Sequence, residues 1–144
     1  MASLTVAQAS LLGAVYIDEN PGFTVTTLPD RLPDEAAVSI CGLPNLLNCP
    51  IGARGRIFEP EFGSMWYQFL QEPLDDITAA SMRIAMIQSI QRWEPRIKLD
   101  MNNTFVQPDY NLPGYRVRIA YFYVITGKPA SADFTVKVKQ QQPQ

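Results

Sequence analysis

The chain has 144 residues, 47% of them hydrophobic and only 18% charged, which is enough for one packed core held by neither disulfides nor a structural metal. Its formal charge is −2, with twelve Lys and Arg, fourteen Asp and Glu and no His. Nucleic-acid binding by phosphate neutralisation is therefore not expected, and His-based catalytic triads and most zinc sites are excluded.

The acids and bases are unevenly spread: residues 1–76 carry ten acids and three bases, and residues 77–144 carry four acids and nine bases. The first 17 residues hold no Lys or Arg, and the longest apolar run, Leu11 to Ile17, is seven residues. A membrane span needs about 20, so neither a signal peptide nor a membrane partner is expected. Residues 1–35 read as an extended Pro-rich arm or cover segment, with Phe23 to Thr27 as a short strand between Pro21-Gly22 and the Leu28 to Pro33 stretch.

Asp34 is a candidate N-cap for a helix through Val38, Ile40, Leu43, Leu46 and Leu47, and Pro44 predicts a kink or a break within it. Residues 49–63, with Pro50, Gly52 and Gly55, have the composition of a long ordered loop. Ser64 is then placed to cap a helix over Met65 to Gln71, with Trp66, Phe69 and Leu70 facing a core and Pro73 ending it.

The clearest element is a helix from Asp76 to Trp93. Asp75 and Asp76 sit at its positive end and Arg92 at its negative end, and Pro95 terminates it. Ile77, Ala80, Ile84 and Ile87 form one apolar stripe and Met82, Met86, Ile90 and Trp93 a neighbouring one, a width that predicts packing on two sides.

Beyond Pro95 the period becomes two. Strands are predicted at Arg96 to Asp100, at Tyr115 to Thr126 with both faces partly covered, and at Phe134 to Lys139, the last two joined by a turn at Gly127 to Pro129. The expected fold is α+β: a small antiparallel sheet of C-terminal strands against about three helices, spanning 36–139, with a flexible tail at 140–144.

Few residues carry chemistry. Cys41 and Cys49 match no metal spacing and read as reduced thiols. Glu59 and Glu61 are the obvious carboxylate pair, but two residues apart on an extended segment they flank a scissile bond poorly, and Arg54 and Arg56 lie close enough to pair with them. No phosphate-binding glycine loop is present, and no cofactor, metal or catalytic residue is expected. The segment that stands out is Arg92-Trp93-Glu94-Pro95-Arg96-Ile97, where charged side chains flank a proline at the handover from helix to sheet. It reads either as a rigid interface anchor or as an internal pair of Glu94 with Arg92 or Arg96.

Arg54-Gly55-Arg56, then Pro60-Glu61-Phe62-Gly63-Ser64, Leu70 with Glu72-Pro73, and Trp93-Glu94-Pro95-Arg96-Ile97 together resemble the baseplate wedge or sheath-initiator family of contractile-tailed phages, over about residues 49–126. A related subunit serves the type VI secretion machine, and some members carry a lysozyme-like label. The resemblance implies a non-enzymatic virion component, assembled in the host cytoplasm, that docks on the helical core bundle of larger wedge proteins and initiates the tail sheath. Tail tube or hub proteins are further candidate partners. It also implies a docking role for Trp93, Glu94, Pro95 and Arg96. The terminal strand, Phe134, Thr135, Val136, Lys137, Val138 and Lys139, would contact the sheath by strand addition or exchange. The competing readings are a peptidoglycan-cleaving enzyme using Glu59 or Glu61 and the equivalent baseplate subunit of a type VI secretion machine.

Overall fold

The structure, a computed structural model, describes residues 17–19, 31–53 and 59–138. The chain forms two compact units, Met1–Asn45 and Leu46–Gln144.

In the first unit, β1 (Ile17–Glu19) and β2 (Arg31–Pro33) pair antiparallel, Ile17 opposite Pro33. The strand predicted at Phe23 to Thr27 lies outside the described residues. A single turn, α1 (Asp34–Ala36), leads into a π-helix over Ala37–Gly42, and α2 (Leu43–Asn48) follows and crosses the unit boundary. The break predicted around Pro44 takes this form. The Leu43 N–H reaches back five residues to the Val38 carbonyl, so the winding widens just before Pro44, which has no N–H with which to continue the ladder. Ala37, Val38, Cys41 and Leu43 are buried, and no disulfide joins Cys41 to Cys49.

The second unit opens with a loop pinned at its ends. The Ser64 N–H donates to the Cys49 carbonyl at 2.9 Å, and Gly52 N–H to the Pro60 carbonyl at 2.8 Å. Gly63 makes the closure possible: its φ is +126°, and a Cβ there would lie 2.3 Å from the Cys49 carbonyl oxygen. The segment after it is a 3-10 helix, Trp66–Gln71, rather than an α-helix. Ser64 does not cap it: the capping position falls on Met65, and the Ser64 hydroxyl is buried without a hydrogen-bond partner. Trp66 anchors the segment by donating its indole N–H to the Leu47 carbonyl at 2.8 Å.

α3 (Asp76–Trp93) starts where expected, with the Asp75 carboxylate accepting the Thr78 N–H at 2.6 Å. Ala79, Met82, Met86, Ile87 and Ile90 are buried. The predicted second packed side is absent among the described residues: Ile77 is 78% exposed and Ile84 53% exposed, and Ala80 between them is exposed as well. Arg83 ties α3 to the loop at 100–104, donating to the Thr104 carbonyl at 2.9 Å and the Met101 carbonyl at 2.8 Å.

Four strands build the sheet: β3 (Ile97–Leu99), β4 (Phe105–Asp109), β5 (Gly114–Tyr123) and β6 (Pro129–Lys137), all antiparallel to β5. β6 pairs with β5 from Gly114 to Phe122, so β3 and β4 share the opposite side of β5, one at each end. Tyr115, Val117, Ile119, Tyr121 and Tyr123 face inward and are buried. The outer face is more open than predicted, with Arg116, Arg118 and Phe122 exposed, and Val124 to Thr126 belong to the turn rather than the strand.

β4 escapes the periodicity reading because it contains Pro108. The ladder explains why proline is tolerated. Tyr123 N–H bonds to Lys128 on the β6 side and Val124 N–H bonds to Arg96 on the other, so odd residues of β5 point their backbone groups at β6. Pro108 sits opposite Tyr115, and the position where its N–H would be therefore faces away from β5.

Candidate docking corner

α3 passes into β3 through Glu94, Pro95 and Arg96. Proline bars its predecessor from helical geometry, and Glu94 accordingly adopts φ −121° and ψ 78° while its N–H still closes the last turn on the Ile90 carbonyl at 2.9 Å. This turns the carboxylate inward, leaving Glu94 only 4% exposed. Both oxygens are taken by Arg96, Nε donating to Oε1 at 2.6 Å and Nη2 to Oε2 at 2.7 Å. Of the two internal pairings open to the sequence, the structure forms Glu94 with Arg96. A two-bond fork between planar groups fixes the guanidinium in orientation as well as distance. Pro95 is exposed, Trp93 half-buried, and the Arg96 side chain 17% exposed.

Arg92 turns the other way. It forms an ion pair with Glu61 and lies 4.9 Å from the centre of the Trp93 ring, and Phe62 meets Trp93 edge to face at 5.5 Å. The Pro60-Glu61-Phe62-Gly63 and Trp93-Glu94-Pro95-Arg96 segments, thirty residues apart in sequence, thus form one surface. Next to it, Ile51, Gly63 and Met65 on the loop face Ala85, Ser89 and Trp93 on α3 across a shallow groove.

The same geometry bears on the carboxylate pair. Glu61 is held by Arg92, and Glu59 is exposed at φ +44°. Arg54 and Arg56, the partners the sequence suggested, lie outside the described residues. Burial foremost, then the Tyr123 hydroxyl and the nearby Glu94 charge, pushes the Tyr121 phenol far above the usual range and keeps it protonated.

The predicted sheath-contacting strand is β6, which starts earlier than expected, at Pro129, and ends at Lys137. Val138 follows it, donating its N–H to the Pro113 carbonyl at 3.1 Å, and Lys139 lies outside the described residues. Val136 is buried and Phe134 half-buried, whereas Thr135 and Lys137 are exposed, as alternation requires. Periodicity did not find the Asp109 cluster. There a buried carboxylate accepts the Asn111 N–H at 3.0 Å and the Arg116 Nε–H at 2.8 Å, holding the β4–β5 turn; the Asp-Tyr-Asn-Leu-Pro-Gly run was the available signal. No group of three metal-ligating side chains occurs among the described residues, and no described helix is long and apolar enough to cross a membrane.

Fold and corner together define an α+β module with an edge strand on one flank and a rigid charged corner at the end of its long helix. In the solved structures the same fold recurs in a candidate tail lysozyme from Geobacter sulfurreducens, at a TM-score of 0.58 and 18% identity over 69% of this chain and 87% of that one. It recurs also in a chain of the anti-feeding prophage baseplate, at a TM-score of 0.54 and 20% identity over 81% of this chain and 79% of that one. No curated protein matches. Residues 42–121 match the family model for baseplate wedge protein gp25, and the chain belongs to that family. It is a baseplate subunit, which implies interaction with other baseplate proteins.

Proposed function

We propose that this subunit docks on larger wedge proteins through the surface around Trp93, Glu94, Pro95 and Arg96, and offers β6 to the first sheath subunits as a template strand. It acts as a structural part of the virion tail and not as an enzyme. The observation that carries the docking reading is the convergence of the two family segments on one rigid surface, through the Glu61–Arg92 ion pair and the Phe62–Trp93 contact. Division of labour within the corner follows from burial. Glu94 holds Arg96 in place, while Trp93, Pro95 and the outer edge of the guanidinium are what a partner meets.

Glu61, engaged by Arg92, and Glu59, exposed beside it, make a poor acid–nucleophile pair, which favours the structural reading over wall cleavage. Sheath initiation draws support from the open flank of β6, whose nine residues pair only with β5 among the described residues.

The test must respect the buried pair. Arg96→Ala alone would strand a buried carboxylate and cost about 3–5 kcal/mol of stability, confusing folding with docking. The double variant Glu94→Ala/Arg96→Ala leaves no orphan charge. It is expected to stay folded by circular dichroism yet be lost from purified particles, since truncating a buried anchor costs about 2–4 kcal/mol of binding. A folded double variant present at wild-type copy number in particles would sink the docking claim.

A further inference from the structure

The outward side of α3 is built like a contact surface. Ile77, Ala80, Ile84, Ile87 and Gln91 recur at alternating intervals of three and four residues, the spacing of a seam in a pair of packed helices. Ile77 and Ile84 are 78% and 53% exposed, Ala80, Gln88 and Gln91 are exposed, and Ile87 closes the seam against the buried side at 8%. Between Asp76 and Arg92 the one charged residue is Arg83, and its guanidinium is turned to the Met101 and Thr104 carbonyls. A face of four turns without a solvent-directed charge is unlike an ordinary solvated helix surface.

The dimensions argue against a second copy of this chain as the occupant. From Ile77 to Gln91 the seam runs about 21 Å, and at one helix width of about 10 Å it offers a few hundred Å². A free-standing dimer of two copies needs about 800 Å² from each partner, so self-association through this stripe alone would not hold. The seven-residue spacing suits a helix, the small Ala80 allows its backbone to come close, and the lack of charge calls for an apolar face without a charge pattern of its own. We infer that a single helix of another baseplate protein lies along α3 on Ile77, Ala80 and Ile84, secured by the other contacts of the assembled wedge. This surface is distinct from the corner, and the inference rests on the chain being a baseplate subunit.

The experiment places p-benzoylphenylalanine at Ala80 in the full chain during particle assembly. Purified particles are irradiated, and the crosslinked peptide is identified by mass spectrometry. The expected product joins position 80 to a segment of a different baseplate protein whose apolar residues recur every three and four positions. Ile84→Lys, at an exposed site, should leave the melting temperature unchanged and reduce that crosslink at least tenfold. A crosslink to a second copy of this chain, a crosslink to a segment without that spacing, or no crosslink from particles that contain the labelled chain overturns the inference. If even the wild-type chain is missing from particles, it is the baseplate role itself that fails, and the inference falls with it.

Discussion

Gly63 shows how much of the loop rests on one residue. Its positive φ and its approach to the Cys49 carbonyl both exclude a side chain, so Gly63→Ala must either strain the backbone or open the Cys49–Ser64 closure. A loss of about 1–3 kcal/mol in urea unfolding is expected, with the Phe62–Trp93 contact loosened along with the loop. The carboxylates carry the pH dependence. Asp75 is held below the usual carboxylate range chiefly by the Thr78 N–H, Asp100 by the Asn103 side chain, Asp109 by the Asn111 N–H and Asp133 by the Arg118 side chain. Groups with folded pKa values lowered in this way contribute stability above their unfolded pKa, about 4, and lose it as pH falls through the folded values. With no His in the chain, the melting temperature should stay nearly flat from pH 5 to 8 and drop below about pH 4. Asp75→Asn should shrink that acid drop; an unchanged pH profile in this variant would show that the cap is not one of its sources.

At the scale of elements, the β5–β6 ladder has a parity that can be tested. Tyr123 bonds to Lys128 at one end and Pro113 to Val138 at the other, so even-numbered residues of β6 bond to β5 while Ser131, Asp133, Thr135 and Lys137 point their N–H groups at the open flank. Ser131→Pro or Thr135→Pro therefore removes a donor from the flank alone, and Ala132→Pro breaks the ladder. The first two variants should melt close to wild type and assemble into baseplates lacking sheath by electron microscopy, whereas Ala132→Pro should be markedly less stable. Fully sheathed tails from both flank variants would remove strand addition from the mechanism. Of β6, the part from Phe134 to Lys137 was readable from its alternation, and the stretch from Pro129 to Asp133 was not. β4 was not, because Pro108 is a strand breaker in general and harmless only where a neighbouring strand is absent, a fact that depends on the pairing.

For the molecule as a whole, composition and periodicity already established an α+β fold, the long helix with its Asp75 cap and Pro95 stop, and the alternation of β5 and β6, because each follows from local geometry and nearest-neighbour sterics. They also singled out the Trp93 to Arg96 corner, since a proline flanked by charges at a change of period is visible without coordinates. What they could not supply was any relation between distant residues. Glu61 pairs with Arg92, Phe62 meets Trp93, and among the described residues the stripe at Ile77, Ala80 and Ile84 lies uncovered although its pattern matched that of the buried one. A helix with two apolar stripes is the same in sequence whether both sides are packed within the chain or one waits for a partner. Only the tertiary structure decides between them, because burial depends on which elements the rest of the chain brings alongside, and here the sheet and the 3-10 helix cover one side of α3.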